Sequence, residues 1–133
     1  MLKYMLDTNI CIFTIKNRPQ QLREAFNRFH DKLCISSVSL MELIYGAEKS
    51  AHPEKNLAVV EGFAARLKVL PYDEPAANQT GQLRAELARS GTPIGPYDQL
   101  LAGHARSRGL IMVTNNRREF DRVPGLRVED WTD

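Results

Sequence analysis

Cysteine is scarce: the 133 residues hold two, Cys11 and Cys34, in different segments and without Cys-x-x-Cys spacing. That excludes a zinc-finger ligand set and a disulfide framework, and both thiols read as small buried hydrophobes. Long apolar runs are missing as well. Stretches such as Leu110–Val113 fall far short of the ~20 residues that a membrane-spanning helix requires. Met1–Asn9 reaches Asp7 without the apolar core of a secretory signal, so a cytoplasmic chain with no membrane partner is expected. Charge of one sign is lacking too: 18 basic and 16 acidic residues leave a net +2, which by itself announces no nucleic-acid partner. There is no Gly-x-Ser-x-Gly elbow, no Walker sequence and no glycine-rich dinucleotide turn after the first apolar run. His30, His52 and His104 stand without supporting motifs, which disfavours paired-histidine chemistry, and His104 reads as a packed residue.

What is present is the composition of an ordinary globule, 43% apolar and 26% charged, with the length of a single domain over 1–133. Short apolar runs at Lys3–Leu6, Leu33–Ser36, Lys68–Pro71, Leu110–Val113 and Leu126–Val128 predict strands. Helical stripes lie between them: Leu22, Phe26 and Phe29; Leu57, Val60, Ala64 and Leu67; Ala76, Thr80, Leu83 and Leu87. Gly95-Pro96 opens a further helix that Gly109 ends. Strands alternating with helical crossovers predict an α/β fold, a mostly parallel sheet of about five short strands flanked by helices. Ligands of such sheets sit beyond the carboxyl ends of the strands.

The residues at those ends are polar. The first strand runs into Asp7-Thr8-Asn9, and Ile111-Met112-Val113 runs into Thr114-Asn115-Asn116. Asp7 suits a helix N-cap as well as a site. Glu42 lies in the apolar stretch Ser39–Tyr45, where a carboxylate is partly shielded from water; a capping box with Ser39 as N-cap is the alternative. Asp98, in the first turn of its helix, gains from the helix dipole, yet it also heads the apolar stripe of Leu101, Ala102 and Ala105 and so faces inward. Thr114 and Asn116 either position a carboxylate or water, or satisfy turn backbone groups. Three inward or strand-end carboxylates either share protons or hold a cation. Oxygen ligands select Mg²⁺ or Mn²⁺, which points to phosphodiester chemistry with Asp7 and Asp98 as metal ligands and Glu42 completing the cluster, through water or as a base. Between Gly103 and Arg118, Arg106, Arg108, Arg117 and Arg118 occur with no acid among them; they are a solvated face or a grip on the phosphates of a phosphodiester substrate.

Met5-Leu6-Asp7-Thr8-Asn9, Met41-Glu42-Leu43 with Tyr45-Gly46, the Asp98 helix with Ala102 and Ala105, and Val113-Thr114-Asn115-Asn116 with Glu119-Phe120 together resemble PIN-domain nucleases of the VapC toxin group, enteric-type members in particular. The resemblance spans nearly the whole chain. It implies a PIN-like fold and a Mg²⁺- or Mn²⁺-dependent endoribonuclease acting on tRNA, in its sharpest form on initiator tRNA in the anticodon stem-loop. It carries over Asp7, Glu42 and Asp98 as the acidic residues. Asn116 stands where many relatives place an aspartate, leaving Glu119 as the fourth acid; Thr8, Thr114 and Asn116 are auxiliary polar residues. It also implies a homodimer and a cognate VapB antitoxin that covers the acidic groove, with DNA met only through the antitoxin. A PIN-like module that docks RNA or a basic peptide without cutting is the alternative, and an Asp7→Asn variant discriminates the two.

Overall fold

The computed structural model describes residues 1–17 and 19–132; positions 18 and 133 of the expected 1–133 domain lie outside that description. Five strands, β1 (Tyr4–Leu6), β2 (Leu33–Ser36), β3 (Lys68–Leu70), β4 (Ile111–Val113) and β5 (Val128–Glu129), form a sheet of order β3-β2-β1-β4-β5. Every pairing is parallel. The helices are α1 (Thr8–Asn17), α2 (Gln20–Arg28), α3 (Ser37–Glu48), α4 (Pro53–Ala64), α5 (Glu74–Arg89), α6 (Pro96–Ser107) and the short α7 (Arg117–Phe120).

Residues along a strand alternate faces, and here both faces are covered. Met5, Cys34 and Met112 face a core shared with Leu83, Leu87, Leu101, Ala105 and Phe120. Tyr4, Leu6, Ile35, Ile111 and Val113 face the other, with Ile10, Leu22, Leu43 and Val60. Burial on both sides is the reason these strands are continuously apolar, as the α/β expectation required. Cys11 and Cys34 are free and buried, and burial raises both thiols' pKa, Cys34 to about 12. No helix among the described residues is long and apolar enough to cross a membrane.

Beyond one-residue shifts at the ends of β1, β3 and β4, two local readings of the sequence are revised. Gly125 takes φ +73, a left-handed turn that delays β5, so the strand forms at Val128–Glu129 rather than from Leu126. Helix α3 is capped by Ser36, whose Oγ accepts the Val38 N–H at 3.1 Å, so Ser39 is no N-cap and Glu42 lies beyond the first turn, outside any capping box. The turns that end α5 and α6 use Gly91 (φ +67) and Gly109 (φ +64), in line with the glycine stops in the sequence.

Candidate active site

Strand β1 sits at the middle of the sheet. From it the chain proceeds outward on one side through β2 and β3, and on the other side it returns as β4 and β5. The reversal of direction opens a crevice at the carboxyl ends of β1 and β4. Leu6 pairs with Val113, so the next residues, Asp7 and Thr114, come side by side in it. Asp7 is 1% exposed. Its Oδ1 accepts the Ile10 N–H at 2.7 Å, which caps α1, and its Oδ2 accepts the Thr114 hydroxyl at 2.6 Å. Asp7 thus caps a helix and belongs to the crevice at once. Thr114 likewise does both things open to it: besides holding Asp7, its Oγ1 accepts the Asn116 N–H at 2.8 Å. The Asn116 side chain is exposed and makes no cap bond to α7.

Glu42 reaches the same place from α3. The Thr8 hydroxyl donates to Glu42 Oε1 at 2.6 Å, and the buried Ser39 Oγ lies 2.9 Å from Thr8 Oγ1. Ser39, for which a helix cap is one alternative from the sequence, instead braces Thr8. Asp98 and Glu119 close the opposite wall. Glu119, in α7, accepts the Gly95 N–H at 2.7 Å on Oε1. A Cβ on Gly95 would lie 3.5 Å from Asp98 Oδ2 and 3.6 Å from Glu119 Oε1, in ordinary contact, which places the two carboxylates on either side of the same backbone position.

Electrostatics tie the group together. Burial, chiefly, pushes the Asp7 carboxyl up to about 6, with the charges of Glu42 and Asp130 adding to the rise and the Thr114 and Ile10 hydrogen bonds opposing it. Asp98 is also pushed up to about 6, by burial first and then by Glu119, Asp7 and Glu42. Asp130 is an acid that the sequence reading overlooked. It follows β5 directly, so the strand-end rule that singled out Asp7 also applies to it. Among the described residues neither ion pair, Arg106–Glu86 nor Arg117–Asp121, involves Asp7, Glu42, Asp98 or Glu119. A partly buried set of oxygen donors without a basic partner suits a hard divalent ion, which favours the ionised form of each. No three Asp, Glu, His or Cys side chains among the described residues make a ready-formed cage.

The arginines divide. Arg106 is spent on structure: it donates from Nε to Gln79 Oε1 at 2.7 Å and from a terminal nitrogen to Glu86 at 3.0 Å and the Pro124 carbonyl at 2.8 Å, with its side chain 13% exposed. These contacts withdraw it from the candidates for phosphate binding. Arg108 is exposed at the C-terminal end of α6, on the order of 15 Å along the helix from Asp98 at 1.5 Å per residue, and so at the other edge of the sheet. Arg117 and Arg118 are exposed just beyond β4, on the crevice side, Arg117 Nε donating to Asp121 at 3.1 Å. His104 is packed, as expected. Its Nδ1 lies 2.8 Å from Ser36 Oγ, its Nε2 has no partner among the described residues, and burial lowers its pKa.

Comparison with known proteins follows the same lines. The PIN domain family model matches residues 4–126. The chain is 71% identical to a tRNA(fMet)-specific endonuclease VapC of Shigella flexneri over 132 residues, 99% of this chain and 100% of that protein. It is 70% identical to the protein of the same name from Salmonella typhimurium over 131 residues, 98% of this chain and 99% of that one. The crystal structure of DNA-bound VapBC from Salmonella typhimurium superposes with a TM-score of 0.97 at 70% identity, covering 98% of this chain and 99% of the other. On fold and sequence, the chain belongs to the VapC family of PIN-domain proteins.

Proposed function

We propose that this chain, as one nuclease domain over 1–133, is the toxin of a type II toxin-antitoxin pair. Its activity is that of a metal-dependent endoribonuclease that cuts tRNA, specifically initiator tRNA in the anticodon stem-loop, and so stops translation in the cytoplasm. The observation that supports the chemistry is that Asp7, Glu42, Asp98 and Glu119 lie near enough at one sheet edge for Glu42 to raise the Asp7 pKa and for Glu119, Asp7 and Glu42 to raise that of Asp98, with no ion-pair partner for any of the four among the described residues. The substrate rests on the two tRNA(fMet)-specific relatives.

Asp7 and Asp98 would hold Mg²⁺, or Mn²⁺ as a substitute, with Glu42 and Glu119 completing the acidic set. The bound ion would offset phosphate charge and make water a better nucleophile near neutral pH. The chain's part is to fix the donors. Ile10 N–H and Thr114 hold both Asp7 oxygens, Thr8 holds Glu42 and Gly95 N–H holds Glu119, so little reorganisation is needed when substrate arrives. Asp7 at the head of α1 and Asp98 in the first turn of α6 also lie at the positive ends of two helix dipoles, which favours their ionised forms. Asn116 shapes the exposed turn above Thr114, and Arg117 and Arg118 beside it grip RNA phosphates.

The working form is a homodimer, held inactive by a cognate VapB antitoxin that covers the acidic groove. A cationic antitoxin side chain there meets the same charge demand as the metal. Contact with DNA comes through the antitoxin, and the Salmonella relative is known in a DNA-bound VapBC assembly. Expressing the chain without antitoxin and mapping RNA 5′ and 3′ ends across the cell tests this. Discrete new ends confined to the initiator tRNA anticodon loop are expected; an unchanged RNA population would overturn the nuclease reading, and cuts spread over many RNAs the substrate.

A further inference from the structure

Next to the acidic crevice lies a cleft of about 740 Å³ whose wall is shared with it through Thr8 and Glu42. Two aromatic rings open into this cleft, Tyr97 and Tyr45, 50% and 61% exposed. Neither position is accidental in the helical frame. Tyr97 lies on the face of α6 that buries Leu101 and Ala105, but one turn nearer the sheet's carboxyl edge; the apolar stripe runs out past the core there, and its first ring emerges beside Asp98. Tyr45 follows Glu42 by three residues on α3, hence on the same side of the helix. The Lys49 ammonium stands 4.8 Å from the Tyr45 ring centroid, and Lys16 lines the cleft as well.

The shelf therefore joins acids at one end, aromatic faces in the middle and ammonium groups on the wall. A protein segment would use the aromatic area, but the lysines beside a phosphodiester-cutting centre match a polyanion whose flat, unpaired bases alternate with phosphates. We propose that Tyr97 is a stacking platform for an unpaired base next to the scissile phosphate, with Tyr45 lining the same cleft under Lys49, and Lys49 and Lys16 supplying positive charge for the flanking phosphates. The device selects loops over duplex, because a paired base has both faces covered and cannot reach a ring. This inference rests on the ribonuclease reading and adds to it the means of choosing single-stranded substrate.

The test is binding of an anticodon stem-loop RNA carrying 2-aminopurine in the loop, measured in EDTA so that no cleavage intervenes, alongside cleavage of the unlabelled RNA in Mg²⁺. The full chain and its Tyr97→Ala and Tyr97→Phe variants are compared, with thermal melts to confirm folding. Wild type is expected to change the 2-aminopurine fluorescence on binding. Tyr97→Ala should bind about 10- to 100-fold more weakly, the loss a single stacked base represents, and raise KM more than it lowers kcat, while Tyr97→Phe keeps both. Equal binding by Tyr97→Ala, or equal loss in Tyr97→Phe, would overturn the platform while leaving the nuclease reading standing. Absence of cleavage by wild type, with the Tyr97→Ala binding loss intact, would sink the nuclease reading and leave the platform in place. A Tyr97→Ala chain that keeps RNA binding but no longer binds its antitoxin would assign the shelf to the protein partner and overturn the proposal.

Discussion

The Thr114 hydroxyl donates to Asp7 Oδ2 at 2.6 Å, joining the ends of two neighbouring strands across 107 positions of sequence. Because Thr114 lowers the Asp7 pKa while burial raises it, removing the hydroxyl drives Asp7 further toward its neutral form. Thr114→Val is expected to cut kcat/KM about 10- to 100-fold, the scale of lost support to a metal ligand. It should also move the acid limb of the pH–rate profile upward, and Thr114→Ser should restore both. An unshifted profile in Thr114→Val would show that the hydroxyl does not tune Asp7.

Asp7→Asn should abolish metal-dependent RNA cleavage and yet stabilise the metal-free fold. The Asp7 pKa near 6 lies above its unfolded value, so the folded chain holds more protons between about pH 4 and pH 6. Stability is greatest below that window and is lost as pH rises through it, by at most roughly 3 kcal/mol from this group. Asparagine keeps an acceptor for Ile10 and turns an amide toward Thr114 without burying a charge. Urea denaturation at pH 4 and pH 7 in EDTA is the check: the fall in unfolding free energy over that range should be smaller in Asp7→Asn than in wild type.

Gly103 shows where the fold tolerates nothing. A Cβ there would fall 1.9 Å from Thr80 Oγ1 and 2.7 Å from the Thr80 Cα and N, so α6 presses directly on the backbone of α5. Gly103→Ala forces the helices apart, and since overpacking typically costs about 1–3 kcal/mol, sometimes more, a drop in Tm of at least several degrees is expected. Thermal melting reads this directly.

Much of this was legible from residues alone, and the illegible part has one cause. Asp7 and Thr114 stand out because strand ends in a parallel sheet have a known address, and Asp98 because it heads an apolar stripe. Those are properties of local pattern. Arg106 was misplaced because whether a guanidinium faces solvent or bridges Gln79, Glu86 and Pro124 depends on partners 18 to 27 residues distant. The choice left open at Ser39 and Glu42 is decided the same way: the cap of α3 is Ser36, in the strand itself, and the partner of Glu42 comes from α1, 34 positions earlier. Asp130 escaped because β5 is a two-residue edge strand whose start Gly125 had shifted. Short α7, which carries Glu119 on a single turn, has no periodicity to read.

Arg106 gives a prediction in turn. Arg106→Ala leaves Glu86 and Gln79 without their shared donor and removes a brace between α5, α6 and the Pro124 turn. The expected loss is about 1–3 kcal/mol of stability, with RNA affinity unchanged once the protein is folded. Weaker RNA binding by well-folded Arg106→Ala, measured by fluorescence anisotropy, would return this residue to the RNA interface.

The central physical claim is that these carboxylates, drawn together by separate elements, bind a divalent ion. Titration of Mn²⁺ into the purified chain, followed by electron paramagnetic resonance at pH 7.5 and again at pH 5, addresses it directly. Wild type should bind Mn²⁺ at pH 7.5 and lose affinity at pH 5, where protons compete for Asp7 and Asp98, and Asp98→Asn should weaken binding more than tenfold at the higher pH. Mn²⁺ binding that is indifferent both to pH and to Asp98→Asn would contradict the claim.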